Sequence, residues 1–330
     1  MGIACRDISK WLGHLLEMLP LITSQEEFSK IDTRNVCFLE AARAIFTKLG
    51  VSAEASGDLS FPSNGSLPVV LARVSALKFF PPIFPDALEN EISALLFLSN
   101  QPALAPQLLD TGSFEDWHYV LMGRLQGQCL KAQWDNLSTD QRQEACRQVG
   151  RSLRQVHGLP VPKTLSLASA DSWKSFLKTQ TAGCYARHEK IGLREDLLQQ
   201  IPSFLQSVKL DDEGPCFLHT EVMRDHVFFT DHGGQLSFQG FIDFEPSMTG
   251  AAEYDFASVG VFLSSGNPAA LKAFFKGYGC LDRAAQPDFK RRVMAYLLLH
   301  KYSNLKWYLQ FMPDAKSLDE LAELWWSIGE

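Results

Sequence analysis

The stretch that decides the reading runs from His219 to Glu245: HTEVMRDHVFFTDHGGQLSFQGFIDFE. It holds two polar clusters, His219-Thr220-Glu221 through His226 and Ile242-Asp243-Phe244-Glu245, each beside an apolar run. Val227 to Phe229 reads as a strand and Phe238 to Phe244 as the next, with Gly233-Gly234 supplying the turn between them. Cys216 to Leu218, just upstream, reads as another. A carboxylate taken out of water needs a partner or a cation. Asp243, between Ile242 and Phe244, is therefore the strongest single candidate for a functional group.

Working outward, Cys146, Val149, Leu153 and Val156 fall at helical spacing, and Gly158 and Pro160 end that helix. Helical patterns continue to about Val208. Upstream, Tyr119-Val120-Leu121-Met122 reads as a strand, and Gly123 and Gly127 loosen the chain after it, which sets a boundary between 1–122 and 123–330. Val69 to Leu71 and Ala76 to Phe80 are strand-like, behind a Gly/Ser/Pro-rich stretch from Ser56 to Pro68. Asp86 to Leu98 puts Leu88, Ile92, Leu95 and Leu96 on one helical face. The first fifty residues read as helix, with Leu12, Leu15, Leu16 and Leu19 in step. The C-terminal part is helical and aromatic-rich; Trp307, Tyr308, Trp325 and Trp326 are expected to be core or interface aromatics. Strands first and helices later is an α+β pattern in two lobes.

The 330 residues carry a formal charge of −7, with 46% hydrophobic and 21% charged side chains. That balance suits a globular protein and argues against nucleic acid as a partner, because phosphate contacts need a basic surface. It is compatible with a cationic ligand. No apolar run reaches the roughly 18 residues of a membrane span. The N-terminus lacks the features of a secretory signal, and Arg6 stands where a lipidated Gly2 start needs Ser or Thr. The seven cysteines are scattered without a C-x-x-C pair, which points to reduced thiols in a cytoplasm rather than to zinc or disulfides.

Phosphoryl transfer requires a loop over the phosphates, a lysine held by an acid, carboxylates for a metal and a base for the attacking hydroxyl. Candidates occur in that order: Ser63-Asn64-Gly65-Ser66 as the loop, Lys78 in mid-strand, Glu91 in the next helix, then Glu221 and Asp243. From about Ser63 onward the chain resembles the aminoglycoside phosphotransferases, most closely their hygromycin B kinase branch. Their H-G-D-x-x-x-x-N loop is matched by His219-Thr220-Glu221 with His226 at the Asn position. Their I-D-F/W and G-x-x-x-x-D are matched by Ile242-Asp243-Phe244, Gly250 and Asp255. Ala76 to Phe80 resembles the lysine strand, Tyr119 to Gly127 the hinge, and Gly150 to His157 the L-x-x-L-H helix end.

The resemblance implies a protein-kinase-like fold, with a small β-containing N-lobe on a larger, mostly helical C-lobe. It implies ATP and a magnesium or manganese ion, with a small cationic or sugar-like alcohol as acceptor and antibiotic resistance as one natural role. Ser63, Gly65 and Ser66 would cover the phosphates; Lys78 would bind them, oriented by Glu91. The backbone of Tyr119, Val120, Leu121 and Met122 would meet adenine. Glu221 would be the base, and Asp243 with His226 would hold the metal. The Asp171 to Leu193 region would flank the acceptor.

The family's Gly, Asp and Asn are here Thr220, Glu221 and His226. The longer Glu221 shifts its carboxylate by about an ångström, a misplacement that can cost on the order of a hundredfold in rate. A pseudokinase-like nucleotide-binding module is thus an alternative. A second is an Fe(II)/2-oxoglutarate oxygenase with His219, Glu221 and His300 as its triad. His219 also reads as a structural histidine, Asp255 as a brace for the loop, and Arg224 as a phosphate contact or a partner of Asp225.

Overall fold

The computed structural model of the chain describes residues 18–51, 57–63, 65–101, 103–161, 170–210 and 215–329, with the side chains of 170–172 excepted. Leu12, Leu15, Leu16 and Asn64 lie outside the described residues. The chain divides into two compact units, Met1–Ser99 with Pro106–Leu125, and Asn100–Ala105 with Gln126–Glu330.

The first unit is built on an antiparallel sheet of β1 (Val69–Leu71), β2 (Ser75–Phe80), β3 (Leu108–Phe114) and β4 (Trp117–Gly123), in the order β1-β2-β4-β3. Helix α1 (Val36–Lys48) carries Phe38, Ala41, Ala42, Ile45 and Phe46 on one face, and its first turn is capped by the Asn35 side chain accepting from the Cys37 N–H. That apolar stripe packs on Leu77 and Phe79 of β2 and on Trp117, Tyr119 and Leu121 of β4. Side chains alternate along a strand, so Lys78 is on the face opposite Leu77 and Phe79, where α2 (Pro85–Phe97) brings Glu91 to it. Every residue of β2 is buried, which is why its sequence is apolar at nearly every position.

The second unit begins with the short β5 (Gln128–Cys129) and then α3 (Thr139–His157). A reciprocal capping box between Ser138 and Gln141 starts α3. Helix α3 lies against α5 (Pro268–Tyr278) at very close range. A Cβ on Gly150 would meet the Phe274 carbonyl, and one on Gly277 would meet the Arg147 carbonyl, so glycine is required at both. Between them in sequence come α4 (Ala170–Lys190), β6 (Cys216–Leu218), β7 (Val227–His232), β8 (Gln235–Phe241) and β9 (Met248–Gly250). β5, β7 and β8 form one antiparallel sheet, and β6 pairs with β9. Helices α6 (Pro287–Leu299) and α7 (Leu318–Trp326) complete the unit, with Trp325 and Trp326 fully buried. No helix among the described residues is long and apolar enough to cross a membrane.

Two readings need correction. β8 ends at Phe241 rather than Phe244, because Asp243 adopts φ +71° and turns the chain out of the ladder. β3, β5 and β9 appear where no strand was expected. Of the aromatics read as core or interface, Tyr308, Trp325 and Trp326 are buried in the core and Trp307 is 49% exposed.

Candidate active site

In the first unit the candidate site residue is Lys78. Its ammonium lies 3.0 Å from Glu91 Oε2 and 5.3 Å from the Phe80 ring. Lys78 is 5% exposed and Glu91 1%, so the lysine does not extend to water. A buried ion pair is weak evidence for stability, since desolvation of both charges offsets their attraction.

Ser63, Gly65 and Ser66 are exposed on the loop that joins Ser60, bridged to Leu71, to β1. Tyr119 to Met122 are strand residues, as the sequence suggests. They lie in a central strand, paired with Phe79 to Ala76 on one side and with β3 on the other. Both ladders occupy their backbone groups, so an adenine edge would have to displace a sheet hydrogen bond there.

In the second unit the loop from His219 to His226 is fixed by hydrogen bonds to its main chain. Asp255, fully buried, accepts from the N–H of His219 (3.0 Å) and of Thr220 (2.6 Å). The His157 ring stands 2.9 Å from the same carboxylate and 2.8 Å from the Tyr278 hydroxyl. Asp255 is thus the brace expected for this loop, and His157 is a second support that the helix pattern alone did not reveal. Arg224 is not ion-paired with Asp225: it donates to the Leu263 carbonyl and to Ser265 Oγ and stacks on Trp134 at 3.8 Å. Burial lowers its guanidinium to about 10. Asp225 instead lies 3.7 Å from Lys131.

His219 Nε2–H donates to the Ile242 carbonyl, and its Nδ1 accepts from the Glu221 N–H. His300 Nε2–H donates to the Thr220 carbonyl, and its Nδ1 accepts from the Tyr302 N–H. Burial first of all lowers each imidazole to about 4. Both nitrogens of both rings are committed, leaving no lone pair for iron. The oxygenase triad of His219, Glu221 and His300 is therefore excluded, and His219 is structural.

Glu221, His226 and Asp243 come together. Each offers a ligand atom, and the three atoms lie within 4.8 Å of one another, all half-buried. His226 Nδ1–H donates to the Glu221 carbonyl at 3.1 Å, which turns Nε2 toward Asp243 Oδ2, 3.3 Å away. Anchoring one ring nitrogen on a carbonyl while presenting the other is how metal-binding histidines are oriented. Donors about 2.1 Å from one ion lie at most about 4.2 Å apart, so small side-chain rotations suffice to close the set. Two residues of the loop and its partner segment, Thr220 (φ +73°) and Asp243 (φ +71°), hold left-handed backbone without being glycine. Such strain persists only where the surroundings impose it, and it clusters at functional sites.

Several solved structures are similar to this chain. The GDP complex of wild-type aminoglycoside 2'-phosphotransferase-IIIa has a TM-score of 0.63 at 17% identity, covering 86% of this chain and 98% of that one. Aminoglycoside-3'-phosphotransferase of type VIII gives 0.56 at 18%, covering 79% and 97%. The streptomycin–ATP ternary complex of APH(2")-IIa gives 0.54 at 14%, covering 80% and 91%. The fold is thus the kinase-like α+β fold of these enzymes. No curated protein matches the chain significantly by sequence. Residues 62–295 match the APH model, and on that match the chain belongs to the phosphotransferase enzyme family.

Proposed function

We propose that the chain is an ATP-dependent O-phosphotransferase acting on a hydroxyl of a small, cationic or sugar-like molecule, of which an aminoglycoside of the hygromycin B type is the first to test. The observation that carries this reading is the Glu221–His226–Asp243 trio, of which Glu221 and His226 stand on the loop braced by Asp255. Lys78, held by Glu91, binds the phosphates, and Ser63, Gly65 and Ser66 cover them. Tyr119 to Met122 are kept as the adenine side of the site with no backbone hydrogen bond assigned to it, because the N–H groups at the end of β4, of Gly123 and Arg124, are also taken, by the Gln107 and Val74 carbonyls. Glu221 takes the proton of the acceptor hydroxyl as its oxygen forms a bond to the γ-phosphorus and the bond to the β,γ-bridging oxygen breaks, releasing ADP.

Asp243 and His226 are the residues that would hold a divalent cation, which when bound neutralises charge on the phosphates. Magnesium prefers oxygen ligands, whereas manganese accepts imidazole, so the donor set favours manganese. The reaction is tested with γ-labelled ATP and either cation against a panel of hydroxyl compounds that includes hygromycin B. Asp243→Ala is expected to abolish transfer while the unfolding midpoint stays within a few degrees; full transfer by that variant sinks the mechanism.

A second reading, a nucleotide-binding module with little turnover, rests on the 3.3 Å approach of His226 Nε2 to Asp243. There the His226 ring would meet the Asp243 carboxylate in place of a metal. Nucleotide-dependent thermal stabilisation with no label transferred to any acceptor selects it.

A further inference from the structure

The main chain ties the segment that carries Asp243 to the loop that carries Glu221 and His226. The Ile242 N–H donates to the His226 carbonyl at 3.0 Å, and the Ile242 carbonyl accepts from the His219 ring at 2.9 Å. The His226 N–H donates in turn to the Met223 carbonyl at 3.0 Å. Asp255 anchors the start of the loop. The backbone positions of residues 221, 226 and 243 are thus set by the chain itself, with no nucleotide needed to assemble them.

Glu221, His226 and Asp243 each offer a ligand atom within 4.8 Å of the other two. Asp243 Oδ2 lies 3.3 Å from His226 Nε2, and Glu221 Oε2 lies 3.9 Å from Nδ1 of the same ring. The Nδ1–H is given to the Glu221 carbonyl, which leaves Nε2 as the donor to an ion. Two carboxylates this close repel each other, and a cation between them relieves that repulsion. The three side chains are 15–24% exposed, so an ion reaches them from water. Glutamate has one more rotatable bond than aspartate, by which its carboxylate turns toward Nε2.

One imidazole and two carboxylates suit a zinc-type cation, which takes nitrogen and carboxylate oxygen at about 2.0–2.2 Å and accepts three protein ligands plus a water. At a given N/O site zinc binds more tightly than manganese. Magnesium, which wants oxygen and keeps its waters, binds least.

We propose that Glu221, His226 and Asp243 form a zinc-type site that fills without nucleotide, with the residue assigned as base serving as its third ligand. In the reaction proposed above only His226 and Asp243 hold the ion, and Glu221 receives the hydroxyl proton. With Glu221 on the metal, its carboxylate is committed and transfer is slowed. The chain therefore has a resting, metal-held form. The site stands on its own geometry; its effect on transfer rests on the phosphotransferase reading.

The test titrates zinc and magnesium into the full chain without nucleotide, with cobalt as the spectroscopic probe. One equivalent of zinc is expected, bound at least a hundredfold more tightly than magnesium, and a cobalt spectrum without thiolate charge-transfer bands. Glu221→Gln and His226→Asn should each weaken zinc at least tenfold. Glu221→Gln keeps the size of the side chain, and its unfolding midpoint without metal should match the wild type. No zinc bound, thiolate bands, or a zinc affinity indifferent to Glu221→Gln overturns the site. Free zinc held at ten times its Kd should lower manganese-supported label transfer at least fivefold; undiminished transfer overturns the resting form. Absence of any nucleotide-dependent thermal stabilisation defeats the phosphotransferase reading instead, and leaves the zinc site standing.

Discussion

Replacing Lys78 and Glu91 singly and together separates what their ion pair does for stability from what it does for function. Both side chains are nearly fully buried and 3.0 Å apart. Glu91→Leu leaves an ammonium out of water beside Phe80, and Lys78→Met leaves a carboxylate; breaking a buried pair in this way costs about 3–5 kcal/mol. A domain has only about 5–15 kcal/mol in total, so either single variant should lower the urea midpoint markedly. The double variant removes both charges and fills the space with apolar atoms, for which the expected change is about 1 kcal/mol or less in either direction. The two single losses, about 6–10 kcal/mol summed, then greatly exceed the double. The assay is urea unfolding of the full chain, with the slope monitored because two units need not unfold together. Nucleotide-dependent stabilisation is measured on the same proteins and should vanish in all three. Single variants that lose under 1 kcal/mol, or a double variant as unstable as the sum, refute the burial argument. A double variant that is stable and still responds to nucleotide removes the pair from the site.

Thr220→Gly should leave stability within about 1 kcal/mol, because relief of roughly 1–2 kcal/mol of left-handed strain offsets a lost buried methyl and the entropy of glycine; a urea measurement showing a loss above about 3 kcal/mol denies the strain. His188 donates weakly to the Leu298 carbonyl, its Nδ1 has no hydrogen-bond partner, and burial lowers it to about 4. The unfolded chain therefore binds a proton that the folded chain refuses between pH 6.5 and about 4, so stability falls on acidification by up to roughly 1.4 kcal/mol per pH unit in that window; His188→Gln should flatten the profile by about one proton, and an unchanged slope counts against this. Asp255→Asn puts an amide donor against the N–H groups of His219 and Thr220, costing about 1–3 kcal/mol for each one left unmet; transfer should fall with it although Asp255 is not assigned to substrate, and full activity would show that the loop keeps its path without the brace.

Much of the site was legible because charge in an apolar setting demands a partner. Lys78 between Leu77 and Phe79 called for an anion, and Glu91 in the following helix supplies it. Asp243 stood out for the same reason. The missing strands had no such signal. β3 is an edge strand with Asp110 and Gly112 along it, and pairing on one side tolerates polar residues that a central strand excludes. β9 has only three residues. The early end of β8 is set by the backbone at Asp243, which tertiary bonds rather than local pattern impose. Arg224 finds Trp134, far away in sequence, where proximity along the chain had suggested Asp225. The exposure of Trp307 could not be read either, since its helix is one turn long and offers no periodicity to assign a face.

What holds the His219–His226 loop bears on the three departures within it. Asp255 binds the N–H groups of residues 219 and 220, His300 the carbonyl of 220, His219 the N–H of 221, and the Ile242 N–H the carbonyl of 226. These anchors act on main-chain atoms, which do not change when a side chain does. Most of what fixes the loop therefore does not depend on the side chains at 220, 221 and 226; the exceptions are the strain at Thr220, its Oγ1 bond to the Pro246 carbonyl and the His226 bond to the Glu221 carbonyl. The substitutions act mainly on chemistry: the reach of Glu221, the proposed base, and the nitrogen donor that His226 introduces beside Asp243. A change of cation preference or of acceptor, with the loop in place, is the consequence this arrangement permits; collapse of the site is not.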